Sequence, residues 1–491
     1  MHRSVLLSML AALLIATGPA FATLAAPAGP RSDVGSVSLK DRTVALTLQD
    51  AVYLGLRQNR SIKSSYISRI AQAFDLRVSE DRFTPKVTIS ARHIAGHSDD
   101  DHYRQSELIP DTELLTPIGT RFSLAWNSQL YQGRDLGRSG NDGATFSIIQ
   151  PLLKDAGYEV NMAPVRLARM QEEINKLALK TTVSTTITSI ITAYRALLSA
   201  QEQVRIAEEG VSRAKGLLAT NLSLIKAGRM AEFESVQTEA DIATQELSVE
   251  EARNQLDTNR LALLQLLSLD LRTDIRASDT LAAAPFSISP DQALSKAQEN
   301  EPTYLTQLLN IKLAQTNLVV AKNQRLWDVS LVAGASQDRI ISTADTVTST
   351  DRKWDTYAGV QVEIPIGDLS LRQAEVRART DLDNQELQAQ EAGQTLEKNI
   401  ISNLQTIQTR WRQVQISQRG KDLTARKLDI ERKKLNAGRS SNFEVISYEA
   451  DLRNAESTHL NAIIAYLDAQ TQLDLALGTT LESWDISLND R

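Results

Sequence analysis

The stretch AGRMAEFESVQTEADIATQE, Ala227 to Glu246, returns as AGRSSNFEVISYEADLRNAE, Ala437 to Glu456. At an offset of 210 residues, Ala-Gly-Arg, Phe-Glu, Glu-Ala-Asp and a final Glu recur in place. Two more pairs keep the same order. LTLQDAVYLGLRQN (Leu46–Asn59) resembles SISPDQALSKAQEN (Ser287–Asn300), and ATFSIIQPLL (Ala144–Leu153) resembles AGVQVEIPIG (Ala358–Gly367), with Pro151 facing Pro365. Three matches in one order mark a duplicated architecture. Each half reads as helix, extended segments, Pro, very long helix, Gly turn, helix.

Periodicity supports those assignments. Val204, Ala207, Val211, Ala214, Leu218 and Ile225 alternate by threes and fours, with Asn221 filling one seam position. Leu452, Ala455, Ala462, Tyr466, Ala469, Leu473 and Ala476 repeat the pattern, with His459 in the seam. This is the 3.5-residue spacing of coiled-coil packing, and small Ala knobs let helices approach closely. Val87/Ile89/Ala91, Phe122/Leu124/Trp126 and Val360/Val362/Ile364 instead alternate with period two, the mark of strands with one apolar face. The spacing predicts long helices over 160–226 and 369–436, each roughly 100 Å at 1.5 Å per residue. Shorter ones over 46–82, 232–268, 290–324 and 442–477 would each be about half that length. Two short helices end to end then match one long one.

Composition bounds what such a chain can do. It has 491 residues, 54 Lys+Arg against 60 Asp+Glu, and no cysteine. Disulfides, thiolate metal sites and thiol nucleophiles are excluded. The net charge of −6 argues against nucleic acid as a partner. Met1-His2-Arg3, the apolar run Val5 to Ala16 and Ala20-Phe21-Ala22 read as a cleavable export signal over 1–22. No later run approaches the 18 apolar residues of a spanning helix. An exported chain of this kind is soluble or spans as a β-barrel. Each half offers too few strands to close a barrel around an open channel, so several identical chains must share one. The divisions are 1–22 signal, 23–45 extension, 46–268 first repeat, 269–287 equatorial linker, 288–478 second repeat and 479–491 tail. The strand segments fall in 84–152 and 326–367, the tip turns near 228 and 438.

The duplicated order, the junctions QPLLKDAG (Gln150–Gly157) and EIPIGDLSLRQAEVRA (Glu363–Ala378), and both AGR turns resemble the TolC family of outer-membrane efflux proteins. The resemblance covers about Leu46 to Gly478. It implies a mainly α fold with β: duplicated coiled-coil hairpins forming a periplasmic α-barrel, and strands contributing to a shared transmembrane β-barrel. It further implies a homotrimer with a twelve-strand barrel in outer-membrane lipid. Such a protein is a passive exit duct, without cofactor or enzyme activity, recruited by a periplasmic adaptor and an inner-membrane pump of RND or ABC type. One departure stands out. Pro85 and Pro151 are 66 residues apart, against 38 for Trp327 and Pro365, and the longer segment holds an additional extended stretch, Gly119–Tyr131. A strand that crosses needs one that returns, so this stretch is expected to prolong or flank an existing strand, or to lie in an outer loop.

By the resemblance, acidic side chains near the Gly turns ring the narrow end. Glu444 and Ser447 fall at second-hairpin constriction positions and Glu234 at a first-hairpin acidic one, with Arg229 and Arg439 available to bridge to the acids across hairpins. The alternative is solvated charges on helix ends. The tips Ala227, Gly228, Ala437 and Gly438 are the implied adaptor-docking points; Gly228 and Gly438 also suit ordinary helix caps. His93, His97, Asp99, Asp100, Asp101 and His102 have the residue types of a divalent-metal site, but a simply hydrophilic outer loop is the better explanation, and no metal site is assigned. Trp126, Tyr131, Trp327 and Tyr357 flank strands and suit a bilayer interface. No HExxH, GxSxG, phosphate loop or GxGxxG occurs. Small-molecule efflux competes with type I protein secretion and with a periplasmic coiled-coil protein lacking a pore; the last leaves the alternating strands without a purpose.

Overall fold

The computed structural model describes residues 43–97, 102–133, 137–344 and 347–488. The predicted signal 1–22 and most of the extension 23–45 lie outside the described residues. The first half runs β1 (Val44–Leu46), α1 (Leu48–Gln58), α2 (Arg60–Glu80), β2 (Lys86–His97), β3 (His102–Leu115), β4 (Arg121–Gly133), β5 (Arg138–Pro151), a single turn α3 (Tyr158–Asn161), α4 (Ala163–Lys226) and α5 (Phe233–Leu266). The second half follows as β6 (Ile275–Ala277), α6 (Pro290–Asn300), α7 (Pro302–Gln324), β7 (Asp328–Ala344), β8 (Val347–Glu363), α8 (Leu369–Asn436), α9 (Asn442–Leu477) and α10 (Thr480–Ser483).

The long helices, 64 and 68 residues, match their predicted spans closely. Two predicted helices are each broken in two. Asn59 adopts an extended ψ of 130°, and its side chain caps α2 by accepting from the Ser61 and Ile62 amides. In the other half Glu301 precedes Pro302, whose ring disfavours helical backbone in the residue before it. Glu301 accordingly takes ψ 117° and caps α7 through Thr303 and Tyr304. Both breaks sit where another helix ends. Asn59 Nδ2 donates to Leu266 O at 2.8 Å, at the close of α5. Gly478, at the close of α9, lies against Asn300 and Glu301. Half-rods thus meet end to end at mid-height, at equivalent places in the two repeats.

On the strand side, α4 packs between α2 and α7, and α7 packs on α8; toward the tips, α4 packs between α5 and α9, and α9 packs on α8. One flank of the chain is therefore α2 and α5, the other α8. The linker 269–287 contributes β6, which pairs in parallel with β1. Beneath that pair sits the largest core, with Ile187, Ile190, Leu197, Leu263 and Leu264 fully buried. Each such side chain contributes about 1.5–3 kcal/mol by leaving water. Tyr194 anchors the linker there: its hydroxyl is 2.9 Å from Leu46 O and 2.7 Å from Asp279 Oδ2. Burial, then its bond to Asp279, pushes the phenol pKa up. Tyr194→Phe is expected to cost about 1–3 kcal/mol, the range for stranding a buried acceptor, and to lower the thermal midpoint without altering the helical circular-dichroism spectrum.

The strands form one antiparallel sheet in the order β2-β3-β4-β5-β7-β8. The expectation for Gly119–Tyr131 fails: it is β4, a full member of the sheet, paired from Arg121 to Gln132 with β5. Parity is nonetheless kept, because His102–Leu115, not read as a strand from the sequence, is the returning strand β3. The six strands of this sheet among the described residues also exceed the four per chain that a twelve-strand trimeric barrel needs. The His-bearing run is split accordingly. His93 and His97 lie in β2 and His102 in β3, where the His97 and His102 rings stack at 4.3 Å. His93 Nδ1 meets Ser106 Oγ at 2.9 Å. Asp99, Asp100 and Asp101 lie outside the described residues.

No helix among the described residues is long and apolar enough to cross a membrane. The sheet, by contrast, has one apolar face. Directly paired residues share a face, and the registers place Val87, Ile89, Leu108, Leu124, Phe146, Leu331 and Val360 together. All seven are exposed in the single chain. Trp126 and Trp354 lie on that face too. Tyr131 and Tyr357 lie on the opposite, polar one, and Trp327 precedes β7, so the expected set Trp126, Tyr131, Trp327 and Tyr357 does not share one face. On the polar face Glu107, Asp111, Glu113, Asp328, Asp338, Asp351, Asp355 and Glu363 outnumber Lys86, Arg92, Arg121 and Lys353.

Candidate gate at the helix-hairpin tips

Both hairpins reverse at glycines of positive φ, +68° at Gly228 and +71° at Gly438, a region that glycine enters without steric cost. Ala227 and Ala437 cap the long helices, and all four tip residues are exposed. The two returns differ. At the start of α9, Ser441 Oγ accepts from the Glu444 amide at 3.2 Å, while the Glu444 carboxylate accepts from the Ser441 amide at 3.4 Å. This is a capping box. Ser440 Oγ also donates to Glu444, at 2.9 Å. At the start of α5, Glu232 makes no side-chain cap. Glu444 and Ser447 are exposed, whereas Glu234 is half-buried.

Arg229 reaches from the first tip to the second: a Cβ added at Gly438 would lie 3.5 Å from its Nη2. Among the described residues no ion pair within the chain joins Arg229 or Arg439 to Glu234 or Glu444. The four charges are brought to one end of the molecule without being paired there. Just inside the tip, hydrogen bonds from Ser440 and Lys434 hold the Glu431 carboxyl below the usual carboxylate range.

The bonds that join the hairpins lie deeper. Asn221 of α4, Thr238 of α5 and Asn442 of α9 are all buried. Asn221 Nδ2 donates to Asn442 Oδ1 at 2.7 Å and to Thr238 Oγ1 at 2.9 Å. Asn442 Nδ2 is 3.0 Å from Thr238 Oγ1 and 3.2 Å from Glu234 O. Two turns further in, Glu449 of α9, 2% exposed, accepts from Arg213 Nε of α4 at 3.0 Å and pairs with Arg432 of α8. Arg213 also meets Glu456 at 3.3 Å. Three helices from both repeats are tied at one carboxylate, and breaking such a buried pair costs about 3–5 kcal/mol. Sequence reasoning missed both clusters. Its one usable signal was Asn221, a polar residue in an apolar seam. Higher up, His459 bonds Ser417 Oγ at 3.1 Å, and burial, helped by Lys421, lowers its pKa.

Residues 293–479 match the outer membrane efflux protein family. No curated protein matches the chain by sequence. Among solved structures, the CmeC outer membrane channel of Campylobacter jejuni superposes with a TM-score of 0.66 at 16% identity, covering 88% of this chain and 86% of that one. The outer membrane protein VceC of Vibrio cholerae gives 0.66 at 13% identity, covering 88% and 96%. The open state of the MtrE outer membrane channel of Neisseria gonorrhoeae gives 0.66 at 13%, covering 88% and 89%. The chain thus carries the sequence pattern of the outer membrane efflux protein family over residues 293–479 and has the fold of these outer membrane channels, paired strands and long helical hairpins alike, over nearly all its described length.

Proposed function

We propose that the protein acts as a homotrimeric exit duct of a tripartite system, passing small molecules out of a Gram-negative cell. An inner-membrane pump of RND or ABC type would deliver the cargo, and a periplasmic adaptor would dock on Ala227, Gly228, Ala437 and Gly438. One observation carries the reading: the two flanks of the chain are both unfinished. The first presents strand edge β2 and exposed Ile67, Ile70, Phe74 and Val78 on α2; the second presents strand edge β8 and exposed Ile416, Leu423 and Ile430, one heptad apart on α8. Unpaired strand edges are not tolerated in lipid, and flanks of different composition at opposite ends suit head-to-tail association into a ring. In that ring the apolar sheet face meets lipid and the acidic polar face lines the lumen.

Glu444, Ser447 and Glu234 from three copies then converge on the axis at the tips, with Arg229 and Arg439 placed to pair with acids of the neighbouring copy. Carboxylate rings favour cations. In planar bilayers the purified trimer is expected to conduct and to prefer K⁺ over Cl⁻. Glu444→Gln keeps the capping box and should move the reversal potential toward zero, while Arg439→Ala should raise the conductance. A monomeric, electrically silent preparation would overturn the duct. A conducting trimer insensitive to both substitutions would remove these residues from the gate.

A further inference from the structure

Resting on the ring-shaped assembly above, we infer that each copy places six strands in the barrel wall, eighteen in a trimer, and that β2 of one copy pairs with β8 of the next. The added pair, β3 and β4, is built into the wall rather than held outside it. Its pairings run from Lys86–Glu113 at one side to Gln150–Leu331 at the other. β3 and β4 also continue the apolar face through Leu108, Leu124 and Trp126, which an outer loop has no reason to carry.

The turn between β3 and β4 lies on the helix side and is fastened there. The Gly157 amide donates to Ile118 O at 3.1 Å, at the junction from β5 into α3. Gly119, at φ +97°, fits so closely that an added Cβ would stand 2.4 Å from Asp155 O. Arg121 reaches the Asp155 carboxylate at 3.8 Å. β2 therefore ascends and β8 descends, which makes their pairing between copies antiparallel like every other pair in the sheet.

Arc length supports the same count whatever the number of copies. Four helices about 8–10 Å apart occupy roughly 32–40 Å of a ring per copy. Six strands about 4.8 Å apart and tilted by about 40° occupy about 38 Å, and four only about 25 Å. Six strands sit flush on the helical ring, whereas four would force a taper. Eighteen strands give a wall about 36 Å across, backbone to backbone. The narrow point of the duct is then the tip alone.

The natural chain has no cysteine, so an introduced pair reports one contact. Ser90→Cys in β2 would be combined in turn with Gln361→Cys, Gly359→Cys, Asp355→Cys and Lys353→Cys in β8, all on the polar face. After oxidation in outer membranes, at least one combination is expected to give a reducible ladder ending at three chains. If trimers form but only Ser123→Cys of β4 links to β8, the wall has four strands and the inference falls. Trimers without any Ser90 link overturn the closure through β2. Protein extracted as monomers, with no link in either series, overturns the assembly itself, a result distinct from the other two.

Discussion

Asn442→Ala is expected to loosen the tip and raise single-channel conductance while leaving the trimer intact. Asn442 bonds both Asn221 and Thr238, so its removal leaves one Asn221 Nδ2 hydrogen without its acceptor and takes the second amide donor from Thr238 Oγ1 and Glu234 O in a dry seam, although the Asn221–Thr238 bond remains. Each stranded group costs about 1–3 kcal/mol. A combined loss near 3 kcal/mol would shift a balance between joined and parted hairpins about 100-fold. Asn442→Asp keeps an acceptor for Asn221 and Thr238 but loses the amide donor to Glu234 O and Thr238 Oγ1, and should fall between Ala and the natural residue. Cells carrying Asn442→Ala should also admit a bulky antibiotic that intact outer membranes exclude. A lowered melting temperature with unchanged conductance would make the cluster a structural staple and take it out of gating.

Gly478→Ala should damage the assembly far more than the same change at either tip glycine. At φ +69° the backbone is left-handed, which costs an L side chain about 1–2 kcal/mol. The added Cβ would also stand 2.3 Å from Asn300 O and 2.9 Å from Glu301 Cα, which are backbone atoms at the α6–α7 joint. Asn300 O is already fixed by Lys180 Nζ at 2.9 Å. Moving that joint adds an overpacking cost of about 1–3 kcal/mol. Gly228→Ala is the matching control, since a Cβ there meets nothing within 4 Å and only the backbone term remains. Thermal melts should separate the two variants by several degrees, and only Gly478→Ala should deplete the trimer on gels. Equal losses would show that the joint yields, contrary to the packing.

The seam of α4 shows how far a periodic pattern reaches. Val204, Ala207, Val211, Ala214 and Leu218 trace one stripe, yet Ile206, Gly210, Ala214, Leu217 and Asn221 are the residues buried. The helix has two partners at that height, α5 and α9, and one heptad line cannot describe both. In α9, where α8 is the principal neighbour, Leu452, Tyr466 and Leu473 are buried as the spacing predicts. The missed strand β3 has a different cause. Pro110 argues against a central strand because it lacks an amide. The sheet absorbs it by leaving a gap at Ile109–Pro110 in the pairing with β4, while pairing with β2 continues unbroken.

The sequence by itself determined the duplication, the two long helices and their glycine reversals, because coiled-coil periodicity and left-handed caps depend on residues within a few turns of one another. It also located Glu234, Glu444, Arg229 and Arg439 at one end, since their positions follow from distance to a turn. Only the tertiary structure decided that the sheet has six strands and that Asn221, Thr238 and Asn442 form one buried cluster. Strand count rests on pairing between segments whose local pattern is ambiguous. A polar cluster drawn from residues up to 221 positions apart exists only once three helices have packed.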